Sequence, residues 1–139
     1  INTCRAQHKD IFSVWSPAGD PKLTDYWPGA EYVDYVGLSV YEYPLWDEAF
    51  YGRSRTFKEV FGEKYRLVNL YEKPVMIAEF GVSGDSDFQK KWLYEAYRNF
   101  DAYPLLKSVV YFNSRDHEGV WGSELPTPDW RVDPEVFVK

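Results

Sequence analysis

The stretch Lys73-Pro74-Val75-Met76-Ile77-Ala78-Glu79-Phe80-Gly81 decides how the rest of the chain is read. An apolar run, residues 75–78, ends in a single carboxylate, with a glycine close behind it. Proline is tolerated at the first residue of a strand, and an unbroken apolar run reads as a strand buried on both faces. A carboxylate closing such a strand is costly unless it is paired or used. In barrels of alternating parallel strands and helices, catalytic groups sit at the C-terminal strand ends. Glu79 is therefore the first candidate for chemistry.

Working outward, further runs share this character. They are residues 10–16 (DIFSVWS), closed by Pro17 and Gly19, and residues 32–41 (YVDYVGLSVY), closed by Pro44. Residues 106–113 (LKSVVYFN) end in a polar Asn-Ser-Arg-Asp loop. Between the second and third runs, Phe57, Val60, Phe61, Tyr65 and Val68 recur at helical spacing, which predicts a helix over 56–71. A second helix is predicted over 87–101, with Phe88, Trp92, Leu93, Tyr94 and Tyr97 on one broad face and Asp85 or Ser86 as N-cap. Residues 20–30 read as a loop with at most a short turn, and the residues after Tyr41 as a Pro-terminated loop. Ile1 reads as lying near the end of a helix, so upstream sequence is expected.

Repeated strand–helix–strand units imply parallel strands with right-handed crossovers. Four such strands fill only half of an eight-stranded barrel, which takes about 250 residues. A small open sheet binding a nucleotide would carry a Gly-rich phosphate turn after its first strand. Trp-Ser-Pro-Ala-Gly-Asp is a poor one, and neither G-x-G-x-x-G nor G-x-x-x-x-G-K-[ST] occurs. The expected fold is α/β, a TIM (β/α)8 barrel of which residues 1–139 carry about strands five to eight.

The composition, 45% hydrophobic and 27% charged over 139 residues, is that of one globular domain. The 19% aromatic share suits either a ring-filled core or a sugar-binding cleft, and composition alone leaves both open. A net charge of -6 with scattered Lys and Arg speaks against nucleic acid. No apolar stretch is long enough to span a membrane, and no signal peptide is visible. The single cysteine, Cys4, cannot form an internal disulfide. No cluster has metal-ligand spacing, and no G-x-S-x-G elbow or Cys–His motif is present.

Read together, the strand ends resemble the C-terminal half of a clan A glycoside hydrolase, most closely family 26, the β-mannanases and related β-glucanases. Val14-Trp15-Ser16-Pro17 is similar to that family's fifth strand. Tyr26-Trp27-Pro28-Gly29 through Tyr32-Val33-Asp34-Tyr35-Val36-Gly37 is similar to the lead-in to its sixth. Residues 73–81 resemble the seventh, which carries the nucleophilic Glu, and residues 109–113 the eighth. The resemblance covers essentially the whole chain but half of the family's barrel. It implies a retaining glycosidase cleaving a β-linked polysaccharide, β-mannan or β-glucan, with Glu79 as nucleophile and Tyr41 hydrogen-bonded to it. The family's acid/base Glu ends strand four, upstream of Ile1, so the chain alone is expected to be inactive. The implied chemistry needs no metal or cofactor. Its implied partners are a polysaccharide or oligosaccharide and the N-terminal half of the barrel, or a second chain; the implied location is secreted or periplasmic. The chain departs from the family in carrying Ser39 where an Asp is usual and Phe112 where a Trp is common.

Several residues are candidates for contact with a sugar. Trp15 ends the first run and would floor the cleft, Tyr43 and Trp46 would be platforms, Asn113 would reach sugar hydroxyls, and Trp121 in Gly-Val-Trp-Gly would line the same cleft. Each has a plainer reading as packing or as a solvated loop residue. Glu42 is out of register with Tyr41 and is expected to be solvated, as is His117 in the loop after the last strand, where Asp116 stands among the polar groups that can reach sugar hydroxyls; His8 is expected on the surface. The alternative function is a non-catalytic carbohydrate-binding or scaffold protein on a degenerate barrel, which fits the aromatic richness equally well.

Overall fold

The structure is a computed structural model describing residues 2–8, 10–17, 19 and 21–137. Strands β1 (Val14–Trp15), β2 (Tyr35–Glu42), β3 (Val75–Val82) and β4 (Leu106–Tyr111) form one parallel sheet in that order. Helix α1 (Asn2–Gln7) precedes β1, α2 (Pro44–Tyr51) and α3 (Phe57–Val68) connect β2 to β3, and α4 (Ser86–Asn99) connects β3 to β4. Neighbours in space are neighbours in sequence, so the chain always steps the same way and its covering helices share one face. A doubly wound sheet would reverse its order and carry helices on both faces. This winding is that of a segment of a (β/α) barrel.

The core lies between the sheet and α3 and α4. Val36, Leu38 and Val40 of β2 and Val75, Ile77, Phe80 and Val82 of β3 pack against Phe57, Val60, Phe61, Tyr65 and Val68, and against Trp92, Leu93 and Ala96. Phe57 is fully buried, its ring 5.1 Å from Phe61 and 5.9 Å from Trp92. Burying one such side chain stabilises by about 1.5–3 kcal/mol. A capping box starts α3, in which the Glu59 amide donates to Thr56 Oγ1 (3.3 Å) and the Thr56 amide to Glu59 Oε2 (2.8 Å). Asp85 caps α4 by accepting from the Phe88 amide at 2.8 Å.

The expected elements are present with instructive differences. The first strand is shorter than the run 10–16: only 14–15 pair, and Ile11 and Phe12 are exposed. Its entry is fixed by polar contacts instead, with the Ser13 amide donating to Asp34 Oδ2 at 2.7 Å. Of the Pro-terminated loop expected at Glu42 and Tyr43, Glu42 ends β2 and Tyr43 is the N-cap of helix α2. Pro44 stands at its first turn, where no backbone donor is needed, and Gly52 ends it with φ 71°. The buried stripe of α4 runs through Gln89, Trp92, Leu93 and Ala96, while Tyr94 and Tyr97 are 60% and 63% exposed. Gln89 takes a buried place because its Nε2 donates to the carbonyls of Val82 (2.9 Å) and Arg131 (3.1 Å). Short 3-10 turns at Leu23–Tyr26 and Ala30–Tyr32 break the loop before β2. Ile1, read as part of a terminal helix, lies outside the described residues. Among those described, no helix is long and apolar enough to cross a membrane.

Candidate active site

Strict alternation along β3 would place Glu79 on the face of Val75 and Ile77, in the apolar layer under the helices. A β-bulge prevents this. Leu38 pairs with Ile77 but Ser39 pairs with Glu79, which leaves Ala78 as an extra residue in β3. Parity changes there, so Phe80 and Val82 join the buried layer and Glu79 turns to the opposite face, where it is exposed. Re-aiming a side chain is a known use of such bulges.

On that face two hydroxyls meet the carboxylate. Ser39 Oγ donates to Glu79 Oε2 at 3.0 Å, and Tyr41 Oη donates to the same oxygen at 3.2 Å. Oε1 accepts no hydrogen bond among the described residues. Burial, then the Glu79 charge and hydrogen bond, then Asp116, push the Tyr41 phenol far above its ordinary value, so it remains a donor. Gly81 makes room for the Tyr41 ring, since a Cβ there would lie 2.8 Å from Tyr41 Cδ1 and Cε1.

A nest of rings supports Tyr41. Trp130 is fully buried 4.7 Å from it, and Trp121 and Phe112 stand edge-on at 5.9 and 6.1 Å. Asp116 Oδ2 accepts from both indoles, Trp121 Nε1 at 2.9 Å and Trp130 Nε1 at 3.3 Å. Tyr111, its hydroxyl pushed up to about 12 by burial, donates to the Trp130 carbonyl at 2.8 Å. Beside Tyr41 opens a cleft of about 640 Å³ whose lining includes Tyr43, Trp46, Tyr51, Arg55, Lys64 and Trp121. Trp46 meets Trp121 edge-on at 6.0 Å, and Tyr43 meets it at 5.7 Å.

A charged pair forms part of the cleft wall. Asp47 Oδ2 accepts from Arg55 Nε and Asp47 Oδ1 from Arg55 Nη2, both at 3.0 Å, and the guanidinium rests 4.0 Å over the Tyr51 ring. Glu42 adjoins this pair, and the expectation that it is solvated is corrected: it is 0% exposed, and among the described residues neither of its oxygens has a hydrogen-bond partner. The physical reason is parity, because Glu42 shares the helix-side face of Val40. Burial, followed by the adjacent Asp47, raises its pKa to about 8 against the opposing pull of Arg55, so it is protonated at neutral pH.

Of the residues singled out in the sequence, the structure brings Glu79 and Tyr41 into contact and gathers Tyr43, Trp46 and Trp121 around the neighbouring cleft. Tyr43 is largely buried, its hydroxyl donating to the Pro126 carbonyl, so only part of its ring faces the opening. Trp15 is not in this group. It packs edge-on against Trp27 (5.0 Å) and Tyr71 (5.6 Å) on the hydrophobic core, because the short β1 turns it to the helix side. Asn113 is exposed, but its Oδ1 accepts from the Val132 amide at 3.0 Å, which ties the returning C-terminal segment to the end of β4. Asp116, expected among the loop groups that reach sugar hydroxyls, is half-buried with its Oδ2 taken by the two indoles, whereas His117 and His8 are exposed as expected. Ser39 and Trp130 escape a reading by strand ends: the first becomes adjacent to Glu79 only through the bulge, and the second arrives from a Pro-rich tail far along the chain.

A parallel sheet wound in one sense, with polar groups gathered in the C-terminal halves of β2 and β3, defines a segment of a (β/α) barrel with a candidate site at that end. Solved structures share this fold. Bacteroides uniformis β-glucuronidase superposes with a TM-score of 0.56 at 13% identity over 84% of this chain and 15% of that one. A calcium-binding mutant of Bacteroides uniformis β-glucuronidase 2 gives 0.59 at 12% identity over 94% of this chain and 16% of that one. The chain itself belongs to glycosyl hydrolase family 26, whose sequence pattern matches residues 4–103. Endoglucanase H of Acetivibrio thermocellus is 26% identical over 114 residues, which are 81% of this chain and 12% of that protein. The chain thus spans a small part of the length of the relatives it matches.

Proposed function

We propose that this chain carries the nucleophile side of a retaining glycoside hydrolase acting on a β-linked polysaccharide, β-mannan or β-glucan. The observation that carries this reading is the one-sided restraint of Glu79: two hydroxyls hold Oε2, and Oε1 is left open on the exposed face. Oε1 attacks the anomeric carbon as the glycosidic C–O bond breaks, and the leaving oxygen takes a proton from a second carboxyl group about 5–5.5 Å away. Water, deprotonated by that same group, then attacks the anomeric carbon of the glycosyl-enzyme, and the bond to Glu79 breaks to release the sugar and restore the carboxylate. Tyr41 and Ser39 fix the carboxylate so that it meets the sugar without reorganisation. Trp46 and Trp121 offer rings for sugar C–H faces. The acid/base belongs to the N-terminal half of the barrel, which would cover the exposed sheet face, and we place the working protein outside the cytoplasm, where polysaccharide is met.

Glu79→Ala, assayed in the complete barrel on β-mannan and β-glucan, is expected to lower hydrolysis on the order of 10⁴-fold, with exogenous azide restoring turnover as an α-glycosyl azide. Hydrolysis at the unaltered rate would sink the assignment. The ring-lined cleft does not itself need Glu79, which gives a glycan-binding, non-catalytic reading some support. Tight glycan binding by a complete barrel that hydrolyses neither substrate would favour it.

A further inference from the structure

Lys64 stands on α3, yet its Nζ reaches across to donate to the carbonyl of Ser39 at 2.7 Å. Its stem threads past Gly19, where a Cβ would lie 3.0 Å from Lys64 Cδ and 3.1 Å from Cγ, and where the backbone φ of +84° also calls for glycine. Burial, and after it the Arg55 guanidinium, lowers the lysine pKa below its ordinary value, so keeping an ammonium here is unfavourable in itself.

The ammonium sits on the peptide of a residue that holds Glu79. Ser39 is the residue opposite Glu79 at the irregular step of the β2–β3 ladder, and its hydroxyl holds Glu79 Oε2. A donor on the Ser39 carbonyl therefore constrains the bulge from behind while the hydroxyl constrains the carboxylate from in front.

We propose that Lys64 is a positioning residue, whose ammonium on the Ser39 carbonyl locks the β2–β3 bulge and so the aim of the Glu79 carboxylate. Its consequence for catalysis rests on the reading of Glu79 as nucleophile; its consequence for the bulge does not.

The first test is amide hydrogen exchange in Lys64→Met. Exchange at residues 39–41 and 79–81 is expected to quicken by roughly tenfold or more relative to residues 36–38 and 75–77 of the same strand pair. Unchanged exchange overturns the proposal, and so does a uniform increase along the sheet, which a purely structural role would give. In a complete barrel that hydrolyses glycan, kcat is expected to fall roughly 10–100-fold with KM within about twofold, and Lys64→Arg to recover most of it. An effect on KM alone overturns the proposal. Glu79→Ala that remains active would remove the nucleophile reading while leaving the exchange result in force, so the two failures are distinguishable. Should Lys64→Met not fold, the native ammonium still reports. A ¹⁵N signal of Lys64 Nζ with through-bond coupling to the Ser39 carbonyl carbon is expected, and proton exchange as fast as at the exposed Lys90 and Lys91 overturns the lock.

Discussion

On its helix-covered face the sheet carries Val36, Leu38, Val40, Val75, Ile77, Phe80 and Val82, all buried; on the opposite face it carries Ser39, Tyr41 and the exposed Glu79. Both faces belong to the same two strands. The first is governed by the apolar area that α3 and α4 remove from water, and it tolerates no charge. The second is governed by hydrogen bonds to one carboxylate oxygen. What separates them along β3 is a single residue, Ala78, because the side-chain period of a strand is two and one inserted residue exchanges the faces. The bulge lets one strand serve a core at its start and a polar site at its end.

The largest effect is expected from deleting Ala78, which would restore an even ladder. Either Glu79 would enter the apolar layer, or Phe80 and Val82 would leave it. Both outcomes cost several kcal/mol, a large fraction of the stability of a small domain. Loss of cooperative melting is the expected result. A deletion variant that melts like the parent would show that the bulge does not divide the faces.

The apolar half of this comparison is legible in the sequence. The spacing of Phe57, Val60, Phe61, Tyr65 and Val68 identifies the buried stripe of α3 residue by residue, because long helices with one wet face keep a clean period. The polar half is legible only in part. Glu79 and Tyr41 stand in the C-terminal halves of β3 and β2 and are found by a rule that looks to strand ends, but Ser39 needs the bulge, and a bulge leaves no composition signal in Val-Met-Ile-Ala-Glu. Trp130 needs a contact between the tail and Tyr41 that no local pattern encodes. Helix α2 was available from Pro44 and Gly52, the usual asymmetry of helix ends, but Pro44 also reads as the stop of a strand. Trp15 and Glu42 are misread for different reasons: Trp15 faces the helix side and not the cleft, whereas Glu42 lies on the face opposite Tyr41, as its register requires, but that face is buried and not solvated.

Glu42 is the exception on the apolar face, and it sharpens the comparison through pH. Its carboxyl is fully buried beside Asp47 and holds its proton up to about pH 8, whereas an unfolded glutamate loses it near 4.5. Between those values the folded chain binds one more proton than the unfolded chain, so this group makes stability fall as pH rises through the window and leaves it level above. Glu42→Gln removes the dependence. The melting temperature of the variant is expected to gain on the parent from pH 5 to pH 8.5, a difference of a few kcal/mol at most on the usual linkage scale. Other titrating groups are common to both proteins and cancel in the difference. A variant-minus-parent difference that stays constant, or falls as pH rises, would mean that Glu42 is already ionised at pH 5.

Gly81→Ala tests the polar face with the smallest change. The added Cβ would stand 2.8 Å from two Tyr41 ring carbons and 3.1 Å from Trp130 Cε3. Trp130 is fully buried and hydrogen-bonded to Asp116, so the half-buried Tyr41 is the partner that yields. Overpacking of this kind costs about 1–3 kcal/mol. Displacing the ring also withdraws its hydroxyl from Glu79 Oε2, and activity in the complete barrel is expected to fall roughly tenfold. Tyr41→Phe separates the two consequences, since it removes the hydroxyl and leaves the ring in place. If the hydroxyl is what matters, Tyr41→Phe lowers activity as far as Gly81→Ala does while melting closer to the parent. If Tyr41→Phe is fully active and Gly81→Ala is not, the ring stack under Tyr41, and not its hydrogen bond, sets the position of Glu79.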